Sequence, residues 1–307
     1  MIALLVRRLG LLLLVVFGVS TVLFVLTRLS GDPAALLSPP DAGPEVLEAT
    51  RTRLGLDDPL WLQYVHTLVS TFTFDFGQSF AMDAPVNSLL WSRLATSLWI
   101  IVPALVIGPL ISLVIGLYAA LHPTRPGGRL VMGAAFLTDG VPYFLLAFVL
   151  ILVFALQLGW LPATGNVGYA ALAIPVTVLT VSAVSATSRL VRGQMLDALA
   201  QGPVLTARSL GLSPAVVLFR HALPIAVPPL LAWLGIQFSF LFSALLVLEP
   251  IMNFGGIGNL LVRSVNSRDF PVVQACIVVF AVLITAVNIA LDLAVRGIDP
   301  RLRKGTA

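Results

Sequence analysis

Charge is scarce in this chain, and lysine is nearly missing. Only 10% of the 307 residues are charged, where an ordinary soluble domain carries about 25%. The one lysine, Lys304, follows Arg303 and precedes Gly305 close to the C-terminal end. It cannot serve a Gly-x-x-x-x-Gly-Lys-Ser/Thr phosphate loop, which needs a helix to follow. The chain therefore has no means of hydrolysing ATP through that motif. The one cysteine, Cys276, lies in an apolar run, so an intrachain disulfide and a thiolate metal cluster are both excluded. The histidines His66, His122 and His221 are scattered over segments on opposite sides of the spans described below, and no shared metal site is expected from them. Gly-x-Ser-x-Gly and His-Glu-x-x-His are both missing, and no catalytic residue is expected. Gly255-Gly256-Ile257-Gly258 lacks the strand and helix of a nucleotide site and reads as a tight turn. There is no internal repeat and no low-complexity tract.

What the chain does have is apolar length. It is 58% hydrophobic, with a mean hydropathy of +1.01. A bilayer core needs about 20 apolar residues in a helix. Six stretches qualify: 9–27, 97–120, 131–156, 169–187, 222–248 and 270–291. The apolar character is continuous and does not alternate, which selects helices over barrel strands. The first run is longer than the roughly 7–15 residues of a signal-peptide core and has no clean small-x-small site after it, so it reads as a retained span. Pro224, Pro228 and Pro229 crowd the start of the fifth, which is expected to begin a few residues late. The net charge of +4 does not indicate nucleic acid, because the arginines are spread over span-flanking loops without interleaved aromatics.

Those arginines set an orientation. With the N-terminus inside, the inner segments hold Arg7, Arg8, Arg125, Arg129, Arg189, Arg192, Arg208, Arg220, Arg296, Arg301, Arg303 and Lys304. The short outer loops hold Arg263 and Arg268. Long loops count for little in this rule, so the 28–96 loop does not disturb it. Both termini are expected in the cytoplasm. The long outer loop is expected to fold as a small cap, with a turn at Gly31-Asp32-Pro33, helices at 44–54 and 59–68, and a turn at Asp75-Phe76-Gly77.

The most informative segment is 203–224, a moderately polar island between apolar runs. Gly211 suits a left-handed helix end. Ser213 can cap the next helix and Pro214 fits its first turn. A helix–turn–helix carrying Arg208, Arg220 and His221 is expected between two spans, as a docking place for a soluble protein. Within the spans the charged residue is Asp139, in Thr138-Asp139-Gly140-Val141-Pro142, where Gly and Pro loosen the helix. It reads either as a path carboxylate or as a group near the inner end that is wetted or paired with an arginine. Asp292 reads as an inner-end residue. Gln237, Ser239 and Ser243 in the fifth span either line a path or bond between helices. Together with Asp139 they are the candidate path residues. An intramembrane hydrolase built on Asp139 would need a second carboxylate or a histidine beside it, and none is visible in the spans. A stand-alone channel or secondary carrier is the other class of reading, distinguished by transport without ATP.

Several motifs now join in order. They are Arg28-Leu29-Ser30-Gly31-Asp32-Pro33, Leu54-Gly55-Leu56-Asp57-Asp58-Pro59 and Asp75-Phe76-Gly77-Gln78-Ser79, followed by Leu158-Gly159-Trp160-Leu161-Pro162-Ala163-Thr164-Gly165. Arg189, Arg192, Thr206-Ala207-Arg208, Gly211-Leu212-Ser213 and Arg220-His221-Ala222-Leu223-Pro224 follow. Last come Arg268-Asp269-Phe270-Pro271-Val272-Val273-Gln274 and Asp299-Pro300-Arg301-Leu302-Arg303. In this order, nearly end to end, the chain resembles the inner-membrane permease subunit of bacterial ABC importers for dipeptides, oligopeptides and nickel, the first of the two paralogous permeases.

The resemblance implies an all-α integral membrane protein with six transmembrane helices of the type I importer permease fold. It implies an extracytoplasmic cap between spans 1 and 2 and a cytoplasmic coupling helix between spans 4 and 5. The expected division is 1–28 as first span, 29–96 as cap, 97–295 as permease core with coupling loop 188–221, and 296–307 as cytoplasmic tail. The family's coupling motif is Glu-Ala-Ala, three residues, Gly, nine residues, Ile-x-Leu-Pro. Ala207, Gly211, Leu223 and Pro224 match it; Leu205 stands at the Glu position, Thr206 at the first Ala and His221 at the Ile. By resemblance, Pro203, Thr206, Ala207, Arg208, Gly211, Leu212, Ser213, Arg220, His221, Leu223 and Pro224 couple the chain to an ATPase. Implied partners are a paralogous permease in a heterodimer, ABC ATPase subunits that bind the ATP and Mg2+, an extracytoplasmic substrate-binding protein and membrane lipid, with no cofactor in this chain. The implied cargo is peptide, with nickel, metal–chelator complexes, glutathione or haem as alternatives, and the implied location is the bacterial inner membrane.

Overall fold

A computed structural model describes residues 2–29, 34, 43–53, 55–165 and 168–298. The expected turn at Gly31-Asp32-Pro33, Leu54, and the tail from Asp299 through Lys304 lie outside the described residues. Among the described residues regular structure is helical, with one isolated bridge between Gln78 and Pro85. In chain order the helices are α1 (Ile2–Leu29), α2 (Pro44–Arg53), α3 (Leu60–Thr73), α4 (Val86–Leu121), α5 (Pro126–Leu137), α6 (Tyr143–Leu150, continued by a π-helix Ile151–Gln157), α7 (Ala173–Leu199), α8 (Gly202–Ser209), α9 (Pro214–Val216), α10 (Leu223–Ile251), α11 (Ile257–Asn266) and α12 (Phe270–Ile298). Among the described residues, five single helices are long and apolar enough to cross a membrane, and α5 with α6 makes a sixth crossing if that bent pair is one span. The backbone contacts divide the chain into two units, Met1–Ser97 with Gly255–Ala286, and Leu98–Phe254 with Val287–Ala307.

The first unit ties its loops down with buried polar groups. α3 lies along α1: Tyr64 Oη meets Thr21 Oγ1 at 2.7 Å, Ser20 Oγ donates to Thr71 Oγ1 at 3.3 Å, and the Tyr64 ring sits 5.2 Å from that of Phe24. Gln63 Nε2 donates to the carbonyls of Leu56 and Asp58, clamping the turn in which Gly55 takes φ 62°. Leu60, Trp61, Val65, Val69 and Phe72 form an exposed apolar stripe at helical spacing along α3. An exposed apolar stripe on a short helix is the pattern of interfacial amphipathic helices. The 79–82 loop is held by one carboxylate. Asp269, fully buried, accepts from Ser79 Oγ at 2.5 Å and from the N–H groups of Phe80 and Ala81. Gln274 Nε2 donates to Thr71 Oγ1 on the same side. Two motifs far apart in the chain, Asp75–Ser79 and Arg268–Gln274, thus meet in one buried staple. The glycine run at 255–258 opens a helix: Ile257 N–H donates to Ser97 Oγ, and Arg93 donates to the Gly255 carbonyl. Buried Ile257, Leu260, Leu261 and Ser264 make the following α11 a packed element that hydropathy did not reveal.

The second unit packs by close backbone approach. Gly108, Ser112 and Gly116 recur every four residues on α4 and face α7. A Cβ on Gly116 would stand 2.6 Å from Val191 Cβ and 2.7 Å from the Ser188 carbonyl. Ser112 Oγ donates to the carbonyls of Gly108 and Val184. Small residues at this spacing let two membrane helices touch without a side chain between them. Gly235 acts differently on α10, leaving room for the Asn288 side chain of α12, with which a Cβ would collide.

Several expected boundaries move. The third span is broken: Pro126–Gly140 and Tyr143–Gln157 meet at 97°. Pro142 lacks an N–H and disfavours helical backbone just before it, and Val141 accordingly takes φ −100°, ψ 115°. α7 continues twelve residues past the expected end at Thr187, to Leu199. Helical structure runs without a break from Pro214 through Ile251, so it begins ahead of the fifth apolar run. Its prolines are absorbed partly by a π-turn at Val217–Ala222. The longer helix also takes in Glu249, which is 1% exposed, so Asp139 is not the lone carboxylate within spanning helices.

Candidate functional site

α8 forms because Gly202-Pro203 fits a first turn, where a missing N–H costs nothing. It ends in a Schellman motif: Leu212 N–H bonds to the Ala207 carbonyl, Gly211 N–H to that of Arg208, and Gly211 takes φ 75°. Ser213 stands extended before Pro214 as expected, but its hydroxyl makes no capping bond; its carbonyl accepts the Val217 N–H instead. In the next turn Leu223 N–H reaches back to the Leu218 carbonyl, one residue further than in an α-helix. Pro224 explains the widening, since its ring would press on the Arg220 carbonyl in a regular turn.

This segment is anchored from within. Val204 and Ala207, at i and i+3 on α8, are 0% and 3% exposed. They enter one cluster with Ala120 of α4, Val191, Met195 and Ala198 of α7, Val217 and Leu218 of the π-turn, and Ala226 of α10. Leu223 packs against the same cluster. α8 is therefore packed against three spanning helices through close-packed side chains, which have little room to yield. The opposite face looks out. Leu210 is 74% exposed, and Leu205, Leu212 and Phe219 are exposed too. Thr206, Arg208, Gly211, Ser213, Arg220 and Pro224 also face solvent, and His221 is half-buried. Arg208 and Arg220 make no side-chain hydrogen bond or ion pair with the described residues. Sequence reading missed the anchors Val191 and Met195 and the exposed Leu205 and Leu210. The paired apolar residues Val204 and Ala207 inside a polar island were the available signal.

The candidate path residues are not brought together. The exposed line on α10 runs Ala232, Ile236, Phe240, Ser243 and Val247, at steps of four and three. Ser243 lies on it and Ser239 at its edge, each hydroxyl bonded to a carbonyl of its own helix, Ser239 and Gly235 respectively. Gln237, about a quarter turn away from that line, is buried. Asp139 sits on the short turn Thr138–Gly140, where its Oδ2 accepts from Arg189 Nη2 at 2.7 Å, both side chains about 40% exposed. Arg189 also donates to Ser185 Oγ and lies 5.7 Å over the Phe136 ring. Of the two readings of Asp139, the arginine-paired one matches this geometry.

Comparison with known proteins agrees with the helical architecture. A family model described as the binding-protein-dependent transport system inner membrane component matches residues 112–304, and one for the N-terminal region of such membrane components matches residues 1–101. The glutathione transport system permease protein GsiC of Escherichia coli (strain K12) is 34% identical over 299 residues, covering 97% of this chain and 98% of that protein. GsiC of Salmonella typhimurium is 34% identical over 298 residues, covering 97% of each. Among solved structures, the inward-facing MetNI methionine ABC transporter aligns with a TM-score of 0.59 at 20% identity, over 69% of this chain and 96% of that one. An amino acid ABC transporter with histidines aligns with a TM-score of 0.55 at 22% identity, over 68% and 94%. At these identities the two structures speak for the fold alone, that of type I importer permeases.

Proposed function

The chain belongs to the family of binding-protein-dependent transport system inner-membrane components, and from that membership we propose that it is one permease half of an ATP-driven importer of short peptides. The observation that carries this reading is the build of the 203–224 segment. Its inner face is locked to α4, α7 and α10, while its outer face offers bare leucines and unpaired arginines. That is the form of a force-transmitting contact. ATP and Mg2+ are bound by separate ATPase subunits, against which α8 rests. Closure of those subunits moves α8, and the packed cluster passes the motion to the spans, so that access alternates by rigid rocking. A second, paralogous permease completes the path, and a substrate-binding protein delivers cargo at the face carrying α3 and the 79–82 loop. The arginine bias supports an orientation with both termini in the cytoplasm.

For the cargo, a short peptide fits the family. Glutathione is the second reading, favoured by the relatives at 34% identity that carry that name. The test is Gly211→Leu in the assembled transporter. No atom lies within 4 Å of the position a Cβ would take, so the effect is confined to backbone strain of about 1–2 kcal/mol in the turn. ATP-dependent uptake of labelled dipeptide into proteoliposomes should fall, and ATPase subunits should copurify less. Unchanged uptake with full assembly would overturn the coupling role. Uptake of glutathione in preference to dipeptides would decide for the second cargo.

A further inference from the structure

We propose that a cavity at the coupling end of the second unit binds the headgroup of an anionic phospholipid. The cavity measures about 400 Å3 and is lined by Arg129, Arg189 and Arg192, over an apolar floor of Ala119, Met132 and Phe136. Asp139 offsets the charge of Arg189 alone. Arg129 and Arg192 make no side-chain hydrogen bond or ion pair with the described residues. Two guanidinium groups are therefore left to converge on a space that suits a phosphate, whose oxygens match their paired N–H donors.

The cavity is built, not incidental. Gly128 brings α5 so close to the preceding turn that a Cβ there would sit 2.3 Å from the His122 carbonyl. That close approach fixes the start of α5 and with it Arg129. At Gly133 a Cβ would meet nothing within 4 Å, so the floor stays open. Arg192 lies five residues beyond Thr187, where the fourth apolar run ends, which sets the charges near headgroup depth on the side that carries α8.

The surroundings select a lipid over a free anion. Leu130, Phe136 and Leu137 are strongly exposed on α5 beside the cavity, and Gly133 and Ala134 are exposed between them. Acyl chains can lie along this strip while the phosphate enters the cavity. Basic pockets between membrane helices on the cytoplasmic side recognise headgroups in this way. Occupied, the site would hold the bent α5–α6 pair against α7, next to the Asp139–Arg189 contact.

The experiment uses the transporter assembled with its partner subunits, purified in mild detergent and exchanged against vesicles of phosphatidylcholine mixed with phosphatidylglycerol, with bound lipid counted by native mass spectrometry. The wild type should retain phosphatidylglycerol in preference to phosphatidylcholine. Arg129→Gln and Arg192→Gln should each weaken that retention about fivefold. Arg125→Gln, next to the cavity but outside its lining, should leave retention unchanged. Arg192→Lys, which keeps the charge, should retain most of it and covers the case in which a Gln variant fails to assemble. Four results would each overturn the proposal: no headgroup preference in the wild type, an equal loss in Arg125→Gln, displacement of the lipid by inorganic phosphate, or lipid bound only to the chain stripped of its partners.

Discussion

Two polar islands interrupt the apolar runs of this chain, and they treat their polar groups in opposite ways. In the Ser79–Asp269 staple the carboxylate takes a hydroxyl and two backbone N–H groups from its own unit, and it is fully buried. In the 203–224 segment, backbone groups at the Gly211 turn are satisfied by the Schellman bonds, while Arg208, Arg220 and Leu210 are turned outward and unmatched. A buried polar group must be paired within the fold or it costs stability. A surface that keeps unpaired cations beside exposed leucines is suited to a partner that supplies acids and apolar cover. The contrast separates a polar site paired within the fold from one whose cations are left open, although both stand out equally in a sequence this apolar.

Substitutions can break that contrast, and the largest effect is expected in the staple. Asp269→Ala strands the Ser79 hydroxyl and the Phe80 and Ala81 N–H groups and should lower stability by about 3 kcal/mol. A thermal melt of the detergent-solubilised complex measures it; a shift within the scatter of surface variants would mean the staple is not structural. Leu210→Asp should show the reverse pattern. Stability should stay within about 0.5 kcal/mol, as for other exposed positions, while retention of ATPase subunits falls about tenfold, the weight of one apolar anchor in an interface. Equal damage to the melt would place Leu210 among the fold-holding groups. Arg208→Gln should be milder, with ATPase retention down about fivefold and the melt unchanged, as for a rim charge. The Asp139–Arg189 pair is half-exposed and falls between the two islands. Asp139→Asn should cost under about 1 kcal/mol by melt, and a larger loss would move it into the staple's class.

Much of this architecture was legible beforehand, because span and turn signals are local. Gly211 announced a left-handed helix end, and the backbone adopts one. Gly140 and Pro142 announced a loosened helix, though not a bend of 97°. The contacts were not legible. Gly108, Ser112 and Gly116 carry a readable four-residue spacing, but what they face on α7 is not written in α4. Gln237, Ser239 and Ser243 were grouped by chemistry, and helical periodicity separates them, with Gln237 turned inward. Val204 and Ala207 revealed their purpose only when Val191 and Met195 were seen beneath them.

The amino-acid sequence by itself determined the solvent this protein lives in, the approximate places where it crosses, the turn that shapes its 203–224 segment and the family to which it belongs. Each of these depends on runs of neighbouring residues, through continuous hydropathy, a glycine free to take positive φ, or a proline without an N–H. Tertiary structure alone decided which polar groups are spoken for and which remain available. Asp269 meets Ser79 across 190 positions and Asp139 meets Arg189 across 50. A hydrogen bond is settled by distance in space, and no local pattern encodes a partner so far along the chain.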